Sequence, residues 1–99
     1  MMYVQHMNEA GRALLAALET KDTSAIQASA KQFAQAVEAA WQAYLRGEVA
    51  TQTRGQALPR TMHQFATVEL PAKAADPQAW PAIARETRIF LNMLGVVAG

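Results

Sequence analysis

The chain has 99 residues, and nine Lys and Arg against eight Asp and Glu give it a net charge of +1. Its basic residues are scattered, whereas a dedicated nucleic-acid binder shows a basic stripe, so we expect no nucleic-acid partner. Cysteine is absent, which excludes disulfides, thiolate metal sites and cysteine nucleophiles. A chain of this length predicts one domain, residues 1–99, around a single core.

The composition also predicts the fold class. Alanine occupies 22 of the 99 positions, and it has the highest intrinsic helix propensity. β-branched residues never alternate over the length of a strand, so we expect an all-α fold. No signal peptide is recognisable, and no stretch reaches the roughly 18 to 20 apolar residues of a membrane span. We therefore expect a cytoplasmic protein without a membrane segment.

The first predicted helix covers residues 2–19. Its apolar residues recur at spacings of three and four, which is a heptad seam, and they are Val4, Met7, Gly11, Leu14 and Leu18. After a short connection, either Asp22 caps the second helix or Ser24 and Gln27 form a capping box. Such a short connection forces the first two helices into an antiparallel hairpin.

The second predicted helix, residues 24–45, is the one around which the others are organised. Its apolar seam is too broad for one partner helix and consists of Ile26, Ala30, Phe33, Val37, Ala40 and Tyr44. Folding the hairpin about its turn places Gly11 opposite Phe33, where the missing side chain makes room for the ring. Gly47 is expected to end this helix in the left-handed conformation.

Two further helices are predicted after an unpatterned loop at residues 48–57. Leu58, Met62 and Phe65, with Val68 as a further candidate, indicate a short third helix that begins near Pro59 and ends before Pro71, because proline disrupts a helix interior. The fourth helix begins either at the N-cap Asp76 or later, with Pro81 in its first turn. Its seam consists of Trp80, Ile83, Thr87, Phe90, Leu94 and Val97. Gly95 is the expected helix stop. The result is a four-helix up-down bundle with a short third helix.

The sequence offers no convincing chemical site. His6 and His63 fall off the apolar seams, whereas haem and di-metal ligands in bundles project inward. We therefore interpret both histidines as surface residues, and we expect no metal, no cofactor and no enzyme activity. Four arginines could contact an anion, although ordinary solvated side chains explain them better; they are Arg54, Arg60, Arg85 and Arg88.

An excess of apolar surface at one end of the bundle leads to a functional hypothesis. Trp41, Tyr44 and Leu45 project past the start of the first helix, and the uncharged tail at residues 96–99 follows the expected helix stop. An uncovered apolar patch generally marks an association surface. We therefore expect a non-catalytic interaction module that forms a homodimer or binds another protein. In a second interpretation, the loop at residues 48–57 covers the aromatic residues within one chain.

A small-ligand or cofactor carrier is the alternative function, with a pocket between the helices near the tryptophans. The residues that line the interface in one hypothesis and the pocket in the other are Trp41, Tyr44, Leu45, Trp80, Val96 and Val97. The two hypotheses differ in whether these residues meet a second chain or a small molecule.

Overall fold

The computed structural model describes residues 2–47 and 57–98, with side chains except at residues 2, 4, 57–59 and 94–98. Within these ranges the protein is all-α, and four helices enclose one core without any strand. This confirms the predicted fold class. Five α-helical segments build these four helices, and they are α1 (Met2–Thr20), α2 (Thr23–Leu45), α3 (Ala57–Gln64), α4 (Leu70–Lys73) and α5 (Trp80–Ala98). A π-helical turn, Phe65–Glu69, joins α3 to α4, so that residues 57–73 form what we call the composite third helix.

Local cap chemistry determines the hairpin of α1 and α2. Asp22 is the N-cap of α2, since its side-chain Oδ1 accepts a hydrogen bond from the backbone N–H of Ser24 at 3.1 Å. Lys21, just after α1, has a φ of 57°, in the left-handed region that non-glycine residues rarely adopt. At the other end of α2, Gly47 has a φ of 76°, which confirms its predicted conformation.

The composite third helix is longer than predicted, because Pro71 does not end it. The backbone N–H of Leu70 donates to the carbonyl of Phe65, five residues earlier, in the wider spacing of a π turn. Pro71 follows directly, at the second position of α4. A proline ring clashes with the carbonyl four residues before it in a regular α-helix. The π turn changes that spacing, and the helix therefore continues to Lys73.

The last helix combines its two predicted starts, because Asp76 caps a preceding 3-10 turn and α5 itself begins at Trp80, with Pro81 in its first turn. The Asp76 side chain accepts from the N–H of Gln78 at 3.1 Å and caps a 3-10 turn, Pro77–Ala79, which leads into α5. The expected stop at Gly95 is wrong, because α5 extends to Ala98. One glycine costs a helix only about 1 kcal/mol relative to alanine. With no proline after it, Gly95 does not terminate the helix.

The predicted seams supply most of the core, although Val68 of the third helix is 61% exposed and Leu70, outside the seams, is fully buried. Buried residues come from all four helices, and the larger ones include Leu14, Ile26, Phe33, Val37, Met62, Phe65, Ile83 and Phe90. The rings of Phe65 and Phe90 meet at 5.3 Å between centroids and join the composite third helix to α5. Thr87 is fully buried among these apolar side chains, and its hydroxyl has no hydrogen-bond partner in the described part of the chain.

The atoms nearest to Gly11 belong to α5, whereas its expected packing against Phe33 stays a prediction. A Cβ atom built on Gly11 would lie 2.7 Å from Cδ2 of Leu91, and its two next nearest atoms also belong to Leu91. The space left by the glycine is therefore filled from α5. In a four-helix bundle α1 has two neighbours, and only one of them follows it directly in sequence.

The contacts between α1 and α5 show that these two helices run antiparallel. Gly11 lies against Leu91, in the second half of α5. Leu18, near the end of α1, lines the same groove as Trp80 at the start of α5. Neighbouring helices of an up-down bundle run antiparallel in this way. The up-down arrangement of all four helices stays a prediction, and this contact order supports it.

Candidate functional site

Three aromatic side chains stack where the last turns of α2 meet α3. Trp41 and Tyr44 are three residues apart and therefore share one face of α2. Their ring centroids are 5.7 Å apart and their planes differ by 27°. The His63 ring, from α3, also stacks on Trp41, with centroids 4.9 Å apart and planes 18° apart. We call these three residues and Glu38 the aromatic cluster.

Glu38 connects the histidine of the aromatic cluster to α2. Its Oε2 accepts a hydrogen bond from Nε2 of His63 at 3.0 Å. The side chains of His63 and Glu38 are 26% and 47% exposed, so this bond lies at the edge of the interface between α2 and α3. The interpretation of His63 as a plain surface residue is therefore wrong. Its angle from the apolar seam places it on the flank of α3 that faces α2.

Leu45 extends the aromatic cluster into solvent. It is the last residue of α2, and 58% of it is exposed, whereas Trp41 and Tyr44 are half-buried. Trp41 is thus covered in part by its own chain, through His63. The loop expected to cover the aromatic residues, at positions 48–57, lies outside the described residues apart from the start of α3. Val96 and Val97 lie in the last turn of α5, and their side chains also lie outside the described part.

Trp80 belongs to a different site. Its indole Nε1–H donates to the backbone carbonyl of Ala74 at 2.8 Å, and its ring lines an open groove beside the end of α1 and Lys21. Trp41 and Tyr44 do not line this groove. Trp41 lies 18 residues into α2 from Thr23, or about 27 Å along the helix axis. Within the described residues, Trp41 and Trp80 are therefore too far apart to line the single pocket expected for the carrier hypothesis.

The candidate arginines that the structure describes lie on two different helices. Arg54 lies outside the described residues, and Arg60 is exposed on α3. Arg85 and Arg88 are both exposed on α5, but only Arg88 lines the groove at Trp80. An anion site shared by all of them has no support among the described positions.

Two other kinds of site have no candidate among the residues that the structure describes. Across residues 2–47 and 57–98, no three histidine, aspartate or glutamate side chains are placed to hold a metal ion. Within the same ranges, no helix combines the length and the apolarity that a membrane crossing requires.

Comparison with known proteins adds no family to this description. No protein-family model matches the chain, and neither the curated proteins nor the solved structures gave a match. Function must therefore be argued from the geometry of the two ends of the bundle.

Proposed function

We propose that this chain is a non-catalytic helical interaction module that self-associates through the end of α2. The observation that carries the proposal is the exposure of Leu45, 58%, directly beside the stacked and half-buried pair of Trp41 and Tyr44. Aromatic residues that are partly covered in the free protein are typical anchors of an interface. An exposed leucine next to them enlarges the apolar surface that a partner would bury.

Charge favours a second copy of the same chain as the partner. The net charge is +1, so two copies repel each other only weakly at neutral pH. A symmetric dimer uses the same patch on both subunits, and the apolar side chains of Trp41, Tyr44 and Leu45 can pack against their own copies across a twofold axis. Charged patches, in contrast, would place like charges opposite each other.

Sedimentation equilibrium at tens of micromolar protein tests the proposal. We expect a species of twice the 10.8 kDa chain mass that dissociates on dilution. Leu45→Asp should weaken the dimer about tenfold or more, because it places a carboxylate in an apolar interface. Val68→Asp is the matched control, since Val68 is 61% exposed on the π turn, away from the end of α2. A single species at the chain mass would refute self-association, and equal effects of the two variants would refute its location.

A further inference from the structure

A groove at the other end of the bundle has the size and lining of a small-molecule site. It lies between the end of α1 and the start of α5 and encloses about 460 Å³. Small-ligand pockets usually measure about 300 to 1,000 Å³ and are mainly apolar. Apolar side chains form most of the wall, and they are Leu15, Leu18, Pro77, Trp80, Pro81 and Ala84.

The Trp80 ring is held in place on the wall of this groove. Its Nε1–H donates to the carbonyl of Ala74, which follows α4 and is free of the helical hydrogen bonds. With its only donor engaged, the ring offers a ligand an apolar face and no further hydrogen bond. Pro77 and Pro81 lie on either side of Trp80 in sequence and stiffen the backbone that carries it. The groove is therefore preorganised for a flat apolar group.

The charged residues of the groove favour an anion. Lys21 and Arg88 contribute two positive charges, and Glu19 contributes one negative charge. None of the three forms an ion pair within the described residues, so both cations remain able to pair with a ligand. The position of Lys21 is set by its left-handed backbone at the end of α1. A net positive rim above an apolar wall matches a molecule with one anionic and one apolar end.

We infer that this groove binds small carboxylates that carry a flat aromatic ring. The ring would lie on Trp80 between the two prolines, and the carboxylate would pair with Arg88 and Lys21. Stacking on an indole face and a charge-assisted hydrogen bond act together in such a complex. This site does not depend on self-association, because its lining residues include neither Leu45 nor any member of the aromatic cluster.

Titration with 1-naphthaleneacetate tests the inference, with the uncharged 1-naphthaleneacetamide as the control ligand. The chain has two tryptophans, so the ¹H–¹⁵N spectrum contains two indole signals, which Trp41→Phe assigns. We expect the carboxylate to shift the Trp80 signal saturably, with a Kd of about 1 mM or below for a ligand of this size. The Trp41 signal should stay in place. The amide should bind at least about threefold more weakly, because it lacks the charge.

Charge reversal at two neighbouring arginines then locates the anion. Arg88→Glu should weaken binding of 1-naphthaleneacetate about tenfold, since it turns an attraction into a repulsion. Arg85→Glu is the matched control, because Arg85 is equally exposed on α5 but does not line the groove. The inference is wrong if the Trp80 signal does not saturate, if both indole signals shift alike, or if the two variants weaken binding equally. None of these results depends on whether the protein forms a dimer.

Discussion

Substitution of Gly11 tests which helix fills the space beside it. In Gly11→Ala, the new Cβ would lie 2.7 Å from Cδ2 of Leu91 and 3.2 and 3.3 Å from its Cγ and Cδ1. Carbon atoms prefer about 3.5 to 4.0 Å, so the leucine must move or change rotamer. Overpacking of this kind costs about 1 to 3 kcal/mol, whereas alanine gains about 1 kcal/mol of helix propensity over glycine. We expect a net loss of about 1 kcal/mol of unfolding free energy.

A double-mutant cycle separates the two contributions. In a Leu91→Ala background the contact with the new methyl group is removed, and only the helix-propensity gain of Gly11→Ala remains. The same substitution should then stabilise the protein by about 1 kcal/mol. The coupling between the two sites should accordingly be about 2 kcal/mol. Urea unfolding followed by circular dichroism at 222 nm measures each free energy of unfolding.

The cycle also distinguishes Leu91 from Phe33 as the neighbour of Gly11. Phe33→Leu replaces the phenyl ring that the heptad pairing of the hairpin places opposite Gly11 by a smaller side chain. It leaves α5 unchanged. If Phe33 filled the space, Phe33→Leu would relieve the cost of Gly11→Ala and Leu91→Ala would not. Equal effects of Gly11→Ala in the wild-type and Leu91→Ala backgrounds would refute the contact with α5.

Two further substitutions test local features of the fold. Lys21→Gly should stabilise the protein by about 0.5 to 1 kcal/mol, because glycine adopts the φ of 57° without a steric cost, and Lys21→Ala should not. Thr87→Val should stabilise the protein by about 1 kcal/mol, or roughly 4 to 8 °C in Tm, since it removes a buried hydroxyl without a partner while keeping its shape. Thr87→Ser is the control, as it keeps the hydroxyl and loses the methyl group, and should destabilise the protein. A Thr87→Val protein less stable than the wild type would indicate that the hydroxyl has a partner in solution.

The features that could be predicted from the sequence depend on short stretches of chain. A seam such as Ile26, Phe33 and Val37 buries one helix face whatever the partner is, and all three are buried. Asp22 and Gly47 act on backbone groups within a few residues of themselves, so their roles follow from local chemistry. Fold class and most helix ends are of this kind.

The features that could not be predicted depend on contacts between distant residues or on a rare turn. Leu91 lies beside the seam of α5, not on it, and only the arrangement of the helices shows that it reaches Gly11. Pro71 is compatible with a helix because of the π turn before it, and no sequence rule applied to this stretch indicates such a turn. The angle between His63 and the apolar seam of its helix predicts a surface position. A bundle helix contacts two neighbours, however, and His63 faces the second one.

The two tryptophans lie at opposite ends of the bundle because a small bundle has room for large, partly polar rings only at its ends. The middle layers of a small bundle are filled from four sides, whereas its ends remain open. A large aromatic ring with a polar N–H is therefore best accommodated at an end, where it can be half-buried and still find a polar partner. Trp80 bonds to the free carbonyl of Ala74, and Trp41 stacks on His63. The sequence predicts Trp41 in excess of the core and Trp80 on the apolar seam of the fourth helix, but both are half-buried, at opposite ends of the molecule. The proposals of self-association through Leu45 and of ligand binding at Arg88 can therefore be refuted independently, because each test measures one end of the bundle.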